Sequence, residues 1–402
     1  MGIVINGEQH EDGKFPLQLT AGKPHTLITS PGVGRLSLGS RAMGKKVDLW
    51  VEADEPIHWS CFDSFTTMAG SPWPRHLEYW GNDSGFLAWS TKREIEGFTW
   101  KPLLPHDLEV DASQSRIDTL SLHLPADGAG HLHLRLPSAL PGRVSRLGLH
   151  GTLDKARFSG GLPQYLSLSP STSKRSSDEA LQLPDLGLLQ QVTHLELCNG
   201  AGKQPISLRG LHQFSHLTSL SLWGHCVDLE ELSALQNLTS LQLRFMPHLT
   251  GLPTLDSWPQ LESLIAYNVE EAAGKRLRQQ IKAREKQRPW REYSSVTQLR
   301  KPEWWAKEYG RPFAGWPAAR AKQANAAYDA AELALRSATQ RQQAQAAIEA
   351  FTLRFNTIKG IETTEREDLG EAVWQLAQLA EVQALGVTEE LAQQWFDAVR
   401  DY

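Results

Sequence analysis

Four copies of one spelling lie between Val192 and Asn268: VTHLELCN, LTSLSLWG, LTSLQLRF and LESLIAYN. They begin at Val192, Leu217, Leu238 and Leu261, so the steps are 25, 21 and 23 residues. Each reads apolar-x-x-apolar-x-apolar. A period of that length leaves room for one short strand and a return segment. Such units cannot bury an apolar face alone and must stack, one strand per repeat, into a parallel sheet. The exposed side of that sheet is a surface for holding another macromolecule.

Alternate residues of a strand face opposite ways. The Leu positions therefore point inward, and the third, fifth and seventh positions point outward. Down the four copies the third position reads His194, Ser219, Ser240, Ser263; the fifth reads Glu196, Ser221, Gln242, Ile265; the seventh reads Cys198, Trp223, Arg244, Tyr267. Strands ~4.8 Å apart make each column a contiguous ladder. Trp, Arg and Tyr are enriched at interface hot spots. The seventh column thus nominates Trp223, Arg244 and Tyr267 as a partner-binding stripe, with His194, Glu196 and Gln242 around it. The competing reading packs Trp223 and Tyr267 against helices of the same chain.

Looser copies precede these at Ile117, Val144 and Pro163, and VGRLSLGS at Val33 carries the spelling once. Residues 111–270 are accordingly expected to form the repeat array. The stretch 1–110 is rich in short apolar runs broken by Gly, Pro, Asn and Asp, which predicts a β-rich cap over the first repeat. LSLHLPADGAGHLHLRL could close as a local hairpin, and the Ser-rich stretch Ser169–Ala180 reads as an inserted loop. Composition changes near residue 270. Lys275–Lys301 holds ten basic residues and two acids, whereas Ile361–Tyr402 holds ten acids and two basic residues. Residues 271–402 are expected to be helical, with helices over 318–336, 340–358 and 365–383, and a last one capped by Thr388. Thr364 and Glu367 have the spacing of a capping box. The acidic helices have three readings: docking on the chain's own basic stretch, mimicry toward a basic partner, or a solvated face.

A chain of 402 residues with 40% apolar and 22% charged content is long enough for a full core. Its net charge of −5 argues against a nucleic-acid partner. The first residues lack a basic-then-apolar signal, Asn6 spoils a myristoylation motif, and no apolar run reaches the ~20 residues of a membrane span. Cys61, Cys198 and Cys226 are widely spaced and odd in number. No disulfide framework is expected, and a reducing cytoplasm is the expected compartment.

Chemistry is hard to find. NGAGKQ at Asn199–Gln204 would need Gly at 197 and Ser or Thr at 204 to be a phosphate loop, and has Leu197 and Gln204. His123, His131 and His133 have the ligand type for zinc but neither Cys pairs nor an H-E-x-x-H spacing. No G-x-S-x-G elbow appears. No catalytic residue, cofactor or metal is therefore expected.

The four units resemble the leucine-rich repeat family, with the looser copies extending the likeness back to 117. Asn199 and Asn268 stand at the eighth position, one place before the family's usual Asn. The resemblance implies an α/β fold: a short leucine-rich repeat solenoid with an N-terminal β-rich cap and a C-terminal all-α domain. Some bacterial members carry a helical ubiquitin-ligase domain that needs a cysteine. This chain has none after Cys226, which excludes thioester chemistry on the helices. A Trp-bearing helical tail behind a short repeat array is similar to bacterial repeat proteins that include immunity partners of secreted toxins. The implied function is non-enzymatic protein–protein binding, most concretely an immunity protein occluding a toxin. The alternatives are a scaffold or secreted effector that binds a host protein, and an enzyme with an unrecognised site.

Overall fold

The computed structural model describes residues 3–11, 13–29, 34–41, 47–138, 142–173, 179–200, 204–305, 311–313, 316–358, 361 and 363–402, with backbone only at 363 and 364. Val33, residues 174–178 of the Ser-rich stretch, residues 201–203 and the Thr364 side chain lie outside the described residues. Two compact units emerge. The first comprises Met1–Thr172, Ala180–Gly200 and Pro205–Leu299, and the second is built on Arg300–Tyr402.

The first unit is organised by one sheet of twelve strands. In chain order these are β1 (Arg35–Gly39), β2 (Leu49–Trp50), β3 (His76–Trp80), β4 (Ile95–Lys101), β5 (Ile117–Leu124) and β6 (Arg146–Gly151). They continue as β7 (Tyr165–Pro170), β8 (His194–Cys198), β9 (Ser219–Trp223), β10 (Ser240–Met246), β11 (Ser263–Glu270) and β12 (Ser295–Arg300). Spatial order follows chain order except that β2 lies outside β1 at the edge. From β2 to β11 every pairing is parallel.

The register explains the sheet. Leu36, Leu77, Phe98, Leu120, Leu147, Leu166, Leu195, Leu220, Leu241 and Leu264 form one inward row, and the residues two further on form the next; all are buried. Each such side chain contributes about 1.5–3 kcal/mol when fully buried. A one-residue slip would turn both rows outward, which is why the register is firm.

This architecture corrects the expected fold class. A short solenoid over 111–270 under a separate β-rich cap is not what the chain builds. The sheet starts at Arg35, and β3 and β4 are internal strands of it. The return segments do not close it into a solenoid of uniform turns. Early ones form a separate parallel sheet of Leu108–Asp111, Leu132–Leu136 and Ala156–Gly160; later ones are 3-10 turns at Gly187–Gln191, Leu208–Gln213, Leu229–Ala234 and Leu255–Ser257. The hairpin considered across Ala126–Gly130 does not form either, because its two arms belong to these different sheets. The early strands escaped the repeat spelling because their inward positions carry Tyr79, Phe98 and Trp100 where later repeats have Leu or Ala. Their larger rings are accommodated by an aromatic cluster in which Trp59 meets Tyr79, Phe86, Trp89 and Phe98.

The basic stretch begins as a helix, Glu271–Gln287, whose N-cap Glu270 accepts the Ala272 and Ala273 N–H groups. The second unit is helical: Ala318–Arg336, Arg341–Leu353, Thr363–Ala377, Ala380–Ala384 and Glu389–Val399. Where one helix was expected over 365–383, two stand, broken near Gln378 and Leu379. Thr388 accepts the Leu391 N–H at 3.3 Å. These helices enclose their own core around Phe313, Leu335, Ile348, Phe355, Leu376 and Phe396. Among the described residues no helix is long and apolar enough to cross a membrane.

Candidate protein-docking face

The outward side of the sheet carries three columns in register across β8 to β11. His194 stands opposite Ser219, then Ser240 and Ser263. Glu196 stands opposite Ser221, then Gln242 and Ile265. Cys198 stands opposite Trp223, then Arg244 and Tyr267. The six nominated residues thus share one face. Trp223, Arg244, Gln242 and His194 are half-buried, while Glu196 and Tyr267 are exposed.

Trp223 and Tyr267 are not in direct ring contact. Phe245 stands between them, stacked on Trp223 at 5.0 Å and 8°, and edge-on to Tyr267 at 5.9 Å and 69°. Alternation would have sent Phe245 inward. Its φ of +51° instead breaks the alternation, and Met246 takes the inward position, fully buried. Asn268 in the neighbouring strand has the same left-handed backbone, φ +50°, but stays buried itself, with Val269 buried after it. Left-handed backbone on a non-glycine residue costs about 1–2 kcal/mol and is held only where surrounding structure imposes it. The signal in the sequence was an apolar residue directly after each of the last two units, Met246 and Val269, one place out of phase with the inward positions. Beside the rings, the Arg244 guanidinium donates to Gln242 Oε1 at 3.0 Å, which holds it flat along the face. Ser167 Oγ donates to Glu196 at 3.0 Å, and Thr193 Oγ1 lies 2.9 Å from His194 Nδ1.

The same columns continue toward β1, which the repeat spelling did not reveal. One contains Arg35, His76, Gly97, Thr119, Arg146 and Tyr165, and another contains Glu78, Thr99, Ser121, Gly148 and Ser167. Lys101 lies over the Trp80 ring at 4.3 Å and pairs with Glu78 at 2.7 Å, as does Arg35 at 2.7 Å. His123 and His150 stack at 4.4 Å. Burial, reinforced by the Lys101 charge, pushes His150 below the ordinary histidine range.

The three histidines considered for zinc do not come together. His123 stacks on His150, whereas His131 contacts Asp107 at 3.3 Å and His133 pairs in register with Glu109 and Arg157 in the separate sheet. Among the described residues no group of three or more His, Cys, Asp or Glu is placed to hold a metal ion. Burial raises all three thiols, Cys61 and Cys226 to about 12, so none is an activated nucleophile. Asn199, the first residue of the rejected phosphate-loop spelling, is fully buried. Its amide donates to the His225 carbonyl at 2.7 Å and accepts from Thr172 Oγ1 at 2.9 Å, linking the repeats before and after it.

No family model matches the chain, and neither a curated protein nor a solved structure is found similar to it.

Proposed function

We propose that this chain is a non-enzymatic protein-binding module, in keeping with its resemblance to leucine-rich repeat proteins, and that its partner docks on the outward face of β8 to β11. The observation that carries this reading is the Trp223–Phe245–Tyr267 array with Arg244 beside it. Three rings and a guanidinium are held on a rigid sheet, and the backbone is strained to present the middle ring. Large, rigid aromatic groups beside an Arg lose little entropy on binding and dominate interface energies. His194, Glu196 and Gln242 supply a polar rim.

The narrower form of the proposal is an immunity protein that acts in the cytoplasm by covering a toxin's active site. Capture of partners on the immobilised chain, followed by calorimetry with the identified protein, tests the general reading. Replacing Trp223 and Arg244 together by Ala should weaken binding by about 100-fold or more if both are hot spots. Unchanged affinity in a variant that melts like the parent would refute the site. Co-expression separates the narrower form: a toxic partner whose lethality this chain suppresses supports it, and a harmless partner removes it.

A further inference from the structure

A cavity of about 330 Å³ opens on the outward face between β5 and β10, beside the aromatic array. Its floor is low because Gly148 stands between Ser121 and Ser167 in register. A Cβ there would come within 3.2 Å of both His150 Nε2 and Ser121 Oγ. Its walls include Arg146, Tyr165, His194 and Glu196.

Arg146 is exposed and forms no ion pair among the described residues. Its guanidinium lies over the Tyr165 ring at 4.5 Å, and Tyr165 in turn leans on His194 at 4.8 Å. A guanidinium lying over a ring face keeps its N–H groups available to donate, and their fork matches a carboxylate bidentately. The other basic groups differ. Arg35 and Lys101 share Glu78 as an ion-pair partner, and Arg244 is engaged by Gln242. His150, held neutral by its burial, adds no fixed charge. The one acid of the lining, Glu196, is bonded by the Ser167 hydroxyl. It lies two strands from Arg146, roughly 10 Å across the sheet.

We propose that this cavity receives a carboxylate side chain, Asp or Glu, projecting from the protein partner and pairing with Arg146. The inference rests on the protein-binding reading and adds the partner's chemistry: an acidic side chain set beside an apolar patch that meets Trp223 and Phe245.

The test uses the full chain and a defined probe, the N-acetyl methylamide of glutamate. The glutamine equivalent and inorganic phosphate serve as comparisons. The Nε–Hε resonance of Arg146 is identified by its loss in Arg146→Gln. It should shift saturably with the glutamate probe, with a Kd in the millimolar range, and respond at least about tenfold more weakly to the glutamine probe. Arg146→Lys, which keeps charge but loses the fork, should weaken binding several-fold. Three outcomes overturn the proposal: no shift up to about 100 mM probe, an equal shift with glutamine, or tighter binding of phosphate than of glutamate. Once a partner is in hand, Arg146→Gln should cost it at least about tenfold in affinity. Loss on Trp223→Ala with none on Arg146→Gln would overturn the carboxylate site alone and leave the docking face standing.

Discussion

Replacing Gly151 by Ala tests the stacking that builds the docking face. Gly151 ends β6, in register with Leu124 of β5 and Pro170 of β7. Its φ is +92°, and a Cβ on it would stand 2.2 Å from the Leu124 carbonyl oxygen. That is roughly 1 Å inside any tolerated contact. Relief requires the ends of β5 and β6 to part, which loosens the Thr152 N–H bond to the same carbonyl, 3.2 Å long. Losing that bond costs about 1 kcal/mol. The positive φ costs an alanine about 1–2 kcal/mol more, and displaced packing behind the strand ends adds about 1 kcal/mol. The reduced freedom of the unfolded chain returns about 0.4–1 kcal/mol. The net loss is about 2–4 kcal/mol. Gly187→Ala is the control: its φ is +54° and nothing lies within 4 Å of its Cβ, so only the backbone term operates, leaving about 0–1.5 kcal/mol. Urea denaturation read by hydrogen exchange, with peptides of the first unit followed separately, measures both. If Gly151→Ala falls within about 1 kcal/mol of Gly187→Ala, the close approach of successive strand ends is not what stabilises the sheet.

Two further outcomes follow from buried polar groups. Asn199→Ala removes the bonds to Thr172 and His225 and should destabilise the first unit by about 2 kcal/mol; exchange protection near β8 and β9 should fall first, and a loss spread evenly over the unit would contradict the local bridge. His150 is held below its usual value by burial, so between that value and its folded one the unfolded chain binds more protons. Stability therefore rises with pH through that window and is lost as pH falls from about 6.5 toward the folded value. His150→Gln should flatten this part of the curve in urea titrations at graded pH, and an unchanged slope would refute the assignment.

The repeat spelling made the later half of the sheet legible because its inward positions are almost all Leu at a nearly fixed step. The outward columns followed from period-two alternation alone, and His194, Glu196, Trp223, Gln242, Arg244 and Tyr267 do lie in the registers that alternation requires. The earlier strands were illegible for an opposite reason. Tyr79, Phe98 and Trp100 fill the same inward rows but do not read as repeats, and the segment between β1 and β3 is long enough to hide their common step. A β-rich cap was therefore expected where the sheet continues.

Residue pattern by itself determined which side chains are inward and which outward wherever the strand stays regular, because that depends only on local backbone geometry. Only the tertiary structure decided where regularity fails and what neighbouring strands do together. Phe245 reaches the face because left-handed backbone there turns Met246 into the core in its place; the out-of-phase Met246 and Val269 hint at a change of phase, but not at which ring it brings between Trp223 and Tyr267. The stacking of Arg146 on Tyr165, and the opening above Gly148, likewise join residues of separate strands through the sheet's register. Alternation is a property of one strand; a site is a property of several, and it exists only once burial has fixed their register.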